Sequence, residues 1–194
     1  MRRAQAARSL RERAGRQTVA EIDSHPEMAV AKAREISGLS EEDSYAAAAA
    51  KVVAIRAQEL ADHAAGVLDV GDIERVHDMR VATRRLRAAL EVFEPCFPRK
   101  RLQADLGEVK DLADALGERR DRDVAIAALE DLVAKMPAPD RTGIESLIER
   151  LHDEQRRANE ELAPLVTRER LESLDERLGE LVSDAWAAAP EEAK

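Results

Sequence analysis

The chain has 194 residues, a formal net charge of −9 and charged side chains at 37% of its positions. This length suits one substantial domain, or one domain with an extension. Aromatic residues make up only 2%, which disfavours a stacking platform for single-stranded nucleic acid. Abundant Ala, Leu, Glu and Arg at helical spacing, with few glycines and prolines, predict an all-α protein.

The sequence also disfavours a disulfide-linked, a membrane-spanning and a secreted protein. The single cysteine, Cys96, cannot form an intrachain disulfide, and we expect it to be a half-buried, apolar-like side chain. No run of about 18 apolar residues is present, so we predict no membrane-spanning helix. The N-terminal MRRAQAARSLRERAGR loosely resembles a transit peptide but lacks the apolar stretch of a secretory signal. We interpret it as a frayed basic arm and expect a cytoplasmic protein.

In chain order, residues 1–39 form a basic extension, in which HPEMAVAKAREISG can make a short helix ending at Gly38. The helical domain is predicted over 40–187, followed by a loose tail, 188–194. Ser40 is a suitable N-cap, with Asp43 in a capping-box-like position. The first long helix therefore begins at Ser40 and runs to Gly66.

Further helices follow at short intervals. Their predicted ranges are 72–95, with Asp72 as N-cap; 99–116, ending at Gly117; RDRDVAIAALEDLVAKM, with acids at its start; GIESLIERLHDEQRRANEELA, up to Pro164; and 168–187. Short loops between long helices predict an antiparallel helical bundle.

The helix containing RVHDMRVATRRLRAALEVF has one histidine and five arginines within thirteen positions of an acidic chain. At about 100° per residue this helix has an apolar face and a basic face, and Arg85 lies on neither of them. The apolar face comprises Met79, Ala82, Leu86, Leu90 and Phe93, and the basic face comprises His77, Arg80, Arg84 and Arg87.

Two interpretations of the basic face remain open on these residues alone. Its arginines can pair with acids of neighbouring helices, as charged faces commonly do. Alternatively, evenly spaced guanidinium groups suit an extended polyanion, because each can bind phosphate oxygens in a bidentate manner at any relevant pH.

A metal site is the third alternative, because a Glu-x-x-His pair occurs on each of two helices, as in di-iron bundles. The neighbouring arginines would repel a metal cluster, so we predict no metal. No nucleophile–base arrangement or Gly-rich phosphate loop is evident, so we predict neither catalysis nor a cofactor. The residues of the metal alternative are Glu74 with His77, Glu149 with His152, and Glu59 or Glu108.

Two segments carry a family resemblance that spans about residues 41–186. VHDMRVATRRLRAALEVF strongly resembles the signature helix of the CHAD family, the conserved histidine α-helical domain, with His77 at the position of the naming histidine. VKDLADALGERRDRDVAIAAL is similar to the family's later helix–Leu-Gly–Arg-Asp-x-Asp-Val segment. The matching positions are Arg80, Arg84, Arg85, Arg87, Lys110, Leu116, Gly117, Arg120, Asp121 and Asp123.

The resemblance implies an all-helical module that binds inorganic polyphosphate in a basic groove without catalysis, in some members at polyphosphate granules. Asp121 and Asp123 are expected to cap a helix or orient arginines. The implied binding residues are His77, Arg80, Arg84, Arg85, Arg87, Lys110, Arg120 and Arg156.

The chain departs from the family pattern in length. The family's domain usually has two similar helical halves, whereas here the last stretch, TRERLESLDERLGEL, is net acidic and carries no second signature. The chain therefore resembles a single half. An exposed half would leave apolar surface uncovered, and a twofold homodimer would cover it.

Two competing functions use the same basic face. A nucleic-acid-binding protein is disfavoured by the few aromatics and the sequence pI of about 5.1. A helical adaptor would dock an acidic partner protein on the arginines instead. We predict polyphosphate binding in preference to both of these alternatives.

Overall fold

The computed structural model describes residues 32–189, and all of these except Lys32 belong to one compact unit, Ala33–Lys194. The described range contains five α-helices, three short 3-10 segments and no strand, which confirms the all-α prediction. The predicted basic arm and the end of the predicted tail lie outside this range. The helices are α1 (Tyr45–Asp62), α2 (Ile73–Val92), α3 (Arg99–Lys135), α4 (Thr142–Leu162) and α5 (Arg168–Ala188).

The predicted short helix ending at Gly38 is wrong within the described residues, because residues 32–36 have no regular structure. Side chains of α1 form hydrogen bonds with backbone groups of this segment that a helix would need for its own hydrogen bonds. The Arg34 N–H donates to the Glu59 carboxylate, and Arg56 donates to the Arg34 carbonyl over 3.2 Å. Lys51 Nζ donates to the Gly38 carbonyl over 2.7 Å, so this segment lies along α1.

The first long helix starts later and ends earlier than predicted. Ser44, and not Ser40, is its N-cap, with Ser44 Oγ accepting from the Ala47 N–H at 3.1 Å. Ser40 and Asp43 instead close a turn, in which the Ser40 N–H donates to Asp43 Oδ2 at 2.9 Å. The helix ends at Asp62, and Gly66 lies in the following loop with a positive φ of 74°.

The largest correction concerns α3, which is one helix of 37 residues and does not end at Gly117. A glycine inside a helix costs only about 1 kcal/mol, which packing on both sides can offset. Here α2 packs on one side of α3 and α4 on another. Asp121 and Asp123 therefore lie in the helix interior, and the prediction that they cap a helix is also wrong.

Neighbouring helices run antiparallel, since contacting residue numbers rise along one helix as they fall along the next. The same order is found between α1 and α2, α3 and α4, and α3 and α5. The pairs are Tyr45–Val92 and Glu59–Arg85; Arg119–Asn159 and Arg122–Glu154; Arg101–Asp184 and Glu108–Arg170.

The core contains the apolar face predicted for α2. Met79, Ala82, Leu86 and Leu90 are at most 1% exposed, and Phe93 packs against them from the edge. Cys96 is half-buried against the same core, and burial raises the pKa of its thiol. None of the helices in the described range combines the length and apolarity needed to cross a bilayer.

Candidate functional site

An open groove of about 490 Å³ lies between α2 and α3, on the side of α2 away from its apolar face. Its walls are two antiparallel helices, so each presents a row of side chains along the same line. The lining residues are Arg80, Arg84 and Arg87 of α2, and Ala113, Asp114, Gly117, Glu118 and Asp121 of α3.

The wall formed by α2 is an arginine row of Arg80, Arg84 and Arg87. Steps of four and three residues place these side chains on successive turns, over about 10.5 Å of helix. Arg80 and Arg84 make no ion pair or hydrogen bond with any residue in 32–189. Two guanidinium groups therefore face the groove with their hydrogen-bonding capacity unused by the described protein.

The third arginine is linked to a second cation through Glu91. Arg87 Nε donates to Glu91 Oε1 at 2.9 Å, and Lys110 Nζ of α3 lies 3.8 Å from the same oxygen. Lys110 is thus held beside the end of the arginine row. The family resemblance implied Lys110 as a binding residue, but Glu91 was not predicted.

The wall formed by α3 is a carboxylate row of Asp114, Glu118 and Asp121, at the same steps of four and three residues. Ala113 and Gly117 line the groove beside these acids with a small side chain or none, so they leave its base open. A Cβ on Gly117 would lie 3.8 Å from Arg80 Nε, so the arginine passes directly over the glycine. The lining carries three arginines and three carboxylates, and these formal charges sum to zero.

His77 and Arg85 do not line the groove. His77 precedes Arg80 by one turn and is half-buried; its Nε2 is enclosed and makes no hydrogen bond within the described residues. Arg85 faces α1, where its Nη1 lies 3.8 Å from Glu59 Oε1. The helical wheel had already separated Arg85 from the basic face.

Arg120 is also placed away from the groove surface. It is 4% exposed, and its Nη1 donates to the Ile73 carbonyl over 3.0 Å. Its Nη2 lies 3.4 Å from Glu74 Oε1. Arg120 therefore ties α3 to the first turn of α2, which helps to fix the register of the groove walls.

A buried polar network lies behind the groove, where α3 meets α4. Arg119 is fully buried; its Nε lies 3.1 Å from Asp123 Oδ1, and its Nη1 donates to Asn159 Oδ1 at 3.0 Å. The Gln155 amide donates to Asp123 at 2.7 Å. Burial raises the pKa of Asp123, against the opposing effects of Gln155 and the neighbouring arginines. Asp123 thus orients an arginine, one of its two expected roles.

The remaining predicted binding residue, Arg156, lies on α4 and pairs with Asp153 of the same helix. It is exposed but does not line the groove. Its contribution to ligand binding would therefore require a surface that extends beyond the α2–α3 groove.

Two carboxylates of the metal alternative, Glu59 and Glu108, have other partners. Within the described range, no three His, Cys, Asp or Glu side chains form a group that could hold a metal ion. Glu59 pairs with Arg56 at 2.7 Å, and Glu108 pairs with Arg170 at 2.7 Å. Each of these carboxylates therefore already has a cationic partner.

A second pocket, of about 270 Å³, lies between the end of α1 and the start of α2. Its charged lining is mainly acidic, with Arg75 as the one arginine. An anionic ligand would be repelled there, so we assign the candidate site to the α2–α3 groove. The acidic lining residues are Asp62, Asp72, Glu74 and Asp78.

Fold and groove together define a helical-bundle domain with a row of arginines along one helix–helix groove. The CHAD domain model matches residues 51–194, and the chain belongs to this family. A comparison with curated proteins finds no match.

Proposed function

We propose that this protein binds inorganic polyphosphate in the α2–α3 groove and does not convert it chemically. The observation that carries the proposal is the arginine row, in which Arg80 and Arg84 face open space without an ion pair to any described residue. Like charges on successive helical turns repel one another by a few tenths of a kcal/mol per pair. A phosphate chain would relieve this repulsion and use the free N–H donors.

The geometry favours a linear phosphate polymer over a compact anion. Three guanidinium groups spread over about 10.5 Å can contact successive phosphates of one chain, whereas a single small anion would reach only part of the row. Membership of the CHAD family supports the same ligand class. Arg80, Arg84, Arg87 and Lys110 are the residues that we assign to this contact.

The proposal includes a twofold homodimer. Within residues 32–189, the α2–α3 groove of one copy offers one arginine row, and the resemblance predicts half of a domain that usually has two halves. A second copy would supply a second row for the same polymer. Light scattering of the protein at micromolar concentration, with and without polymer, tests this point: a dimer mass supports it and a monomer mass in both conditions contradicts it.

The experiment that tests the function is a titration of labelled long-chain polyphosphate, followed by competition with duplex DNA and ATP. We expect tight binding that neither competitor displaces at equal phosphate concentration. Displacement by DNA would favour nucleic-acid binding, and absence of binding even at low salt would favour the adaptor. Binding should also direct the protein to polyphosphate granules.

A further inference from the structure

The helix α3 continues beyond the point where α2 begins. The first residue of α2 is Ile73, and its carbonyl accepts a hydrogen bond from Arg120 over 3.0 Å. From Arg120, α3 runs on to Lys135, which is about 22 Å further along the helix axis. Arg122 and Glu154 join this end of α3 to α4, which packs on another side. The face of α3 that meets α2 is therefore left uncovered near Lys135.

This uncovered face is apolar in its middle and charged at its two ends. Val124 is 44% exposed and Leu132 is 45% exposed, and Ala128 between them is also exposed. On a helical wheel these three residues fall within an arc of about 80°, together with Asp121 and Lys135. The groove face of α3 thus continues as an exposed apolar surface. We call the five residues Asp121, Val124, Ala128, Leu132 and Lys135 the end patch.

The end patch is its own complement when read in the opposite direction. Its residues follow at steps of three, four, four and three, with Ala128 at the centre. In an antiparallel pair of α3 helices, Val124 would lie opposite Leu132 and Ala128 opposite Ala128. Asp121 would lie opposite Lys135. A twofold interface requires this kind of self-complementary surface, and a small central residue lets two helices approach closely. The pattern therefore favours a second copy of this chain over an unrelated partner.

Both charged ends of the end patch are able to pair with a second copy. The Asp121 carboxylate makes no ion pair or hydrogen bond with any residue in 32–189, although it lines the groove. Lys135 pairs with Asp131 of its own helix, and these side chains are 70% and 68% exposed. An ion pair so exposed to water is weak, so Lys135 can turn towards another carboxylate.

We propose that the end patch docks the end patch of a second copy, with the two α3 helices antiparallel and crossing at Ala128. The partner's Lys135 then neutralises Asp121 at one end of the α2–α3 groove. Three arginines of the groove lining then face two remaining carboxylates, so the lining becomes net positive. The second copy completes the site in this way, a consequence that rests on the proposed function.

Sedimentation equilibrium of the full chain without polymer tests the docking. Because the end patch is small, we expect a reversible dimer in the micromolar range. V124Q/L132Q removes four apolar side chains from the interface without changing charge, and should weaken the dimer by about 100-fold. The control V70Q/V92Q makes the same change at two exposed valines outside the end patch, and should leave the dimer unchanged.

A cross-link at the centre of the end patch gives a second readout that does not depend on weakening the dimer. A disulfide requires two Cα atoms within about 7 Å, which the crossing of two Ala128 positions provides. In a background of C96A, the variant A128C should therefore oxidise to a covalent dimer. The control E160C, at an exposed position of α4 in the same background, should remain monomeric on a non-reducing gel.

The outcomes separate the docking from the proposed function. A wild type that stays monomeric, a dimer unaffected by V124Q/L132Q, or equal cross-linking of A128C and E160C would each overturn the docking. Polyphosphate binding by such a protein would leave the proposed function intact. Conversely, a dimer that depends on Val124 and Leu132 but binds no polyphosphate would support the docking and overturn the proposed function. If both hold, V124Q/L132Q should bind polyphosphate severalfold more weakly than V70Q/V92Q.

Discussion

Arg80 of α2 passes over Gly117 of α3, so that a Cβ on the glycine would stand 3.8 Å from Arg80 Nε. Gly117 lies inside a continuous helix and has ordinary backbone angles, so the backbone conformation at this position does not require a glycine. Its effect is to keep the groove floor low beneath the arginine row. Side-chain size at position 117 should therefore control access to the groove.

Two substitutions at Gly117 separate helix stability from groove access. G117A adds a methyl group at an ordinary contact distance and should raise the free energy of unfolding by about 1 kcal/mol, through helix propensity. G117L should be comparably stable but fill the floor and weaken polyphosphate binding severalfold. Thermal unfolding and anisotropy titrations measure the two effects. Equal binding by both variants would show that the ligand does not enter the groove.

Salt dependence reports how many cations contact phosphate. The four cations assigned to the contact are Arg80, Arg84, Arg87 and Lys110. At about 0.7 counterions released per contact, they predict a slope near −3 for the logarithm of the association constant against the logarithm of the salt concentration. Substituting two of the arginines should reduce the slope to about half. A slope that does not change in such a variant would place the phosphate contacts elsewhere on the protein.

Glu59 should make stability depend on pH in the acid range. It is 3% exposed, and burial alone would raise its pKa, but the Arg34 N–H and the charges of Arg56 and Arg85 outweigh burial and lower it. A lowered native pKa gives stabilisation that is complete above the unfolded value, about 4.3. It is lost as the pH falls through the native value.

The variant E59Q tests this dependence. At pH 7 it should lose about 2 kcal/mol of unfolding free energy, because charge-assisted hydrogen bonds become neutral ones. The difference from the wild type should shrink towards zero as the pH falls below about 4. Urea unfolding across pH measures it, with E160Q as an exposed control; a difference that stays constant with pH would contradict the assignment.

The buried network behind the groove should be necessary for folding. R119A would remove the Arg119 guanidinium from beside the buried Asp123, at a cost of about 3–5 kcal/mol. R156A removes an exposed arginine with an i,i+3 acidic partner, and its cost should be below about 1 kcal/mol. Denaturant unfolding of the two variants checks the contrast. Similar losses of unfolding free energy in R119A and R156A would contradict a structural role for Arg119.

The sequence predicts some parts of this site and not others. The arginine row and the apolar stripe of α2 follow from the periodicity of one helix. The carboxylate row does not, because it requires the pairing of two helices, and an assumed helix end at Gly117 hid the continuity of α3. Once α3 is continuous, the shared spacing of Arg80–Arg84–Arg87 and Asp114–Glu118–Asp121 is the signal that reveals the second wall.

Burial is the other property that the sequence pattern could not supply. Arg119 and Arg120 are neighbours in a strongly charged segment, where exposure is the ordinary expectation. Both are buried, because α3 packs between α2 and α4 at this point. Arg120 matched the family pattern, yet it contacts Ile73 and Glu74 in the first turn of α2.

One comparison of affinities decides whether the arginines of the α2–α3 groove bind polyphosphate. The affinity of long-chain polyphosphate is measured at near-physiological salt for wild type, R80A/R84A and R150A/R157A. The last variant removes two exposed arginines of α4, which changes net charge equally outside the groove. We predict a loss of about 100-fold for R80A/R84A, at roughly tenfold for each charge-assisted contact, and little change for the control. Equal losses in both variants would contradict the claim, because binding would then follow net charge and not the groove.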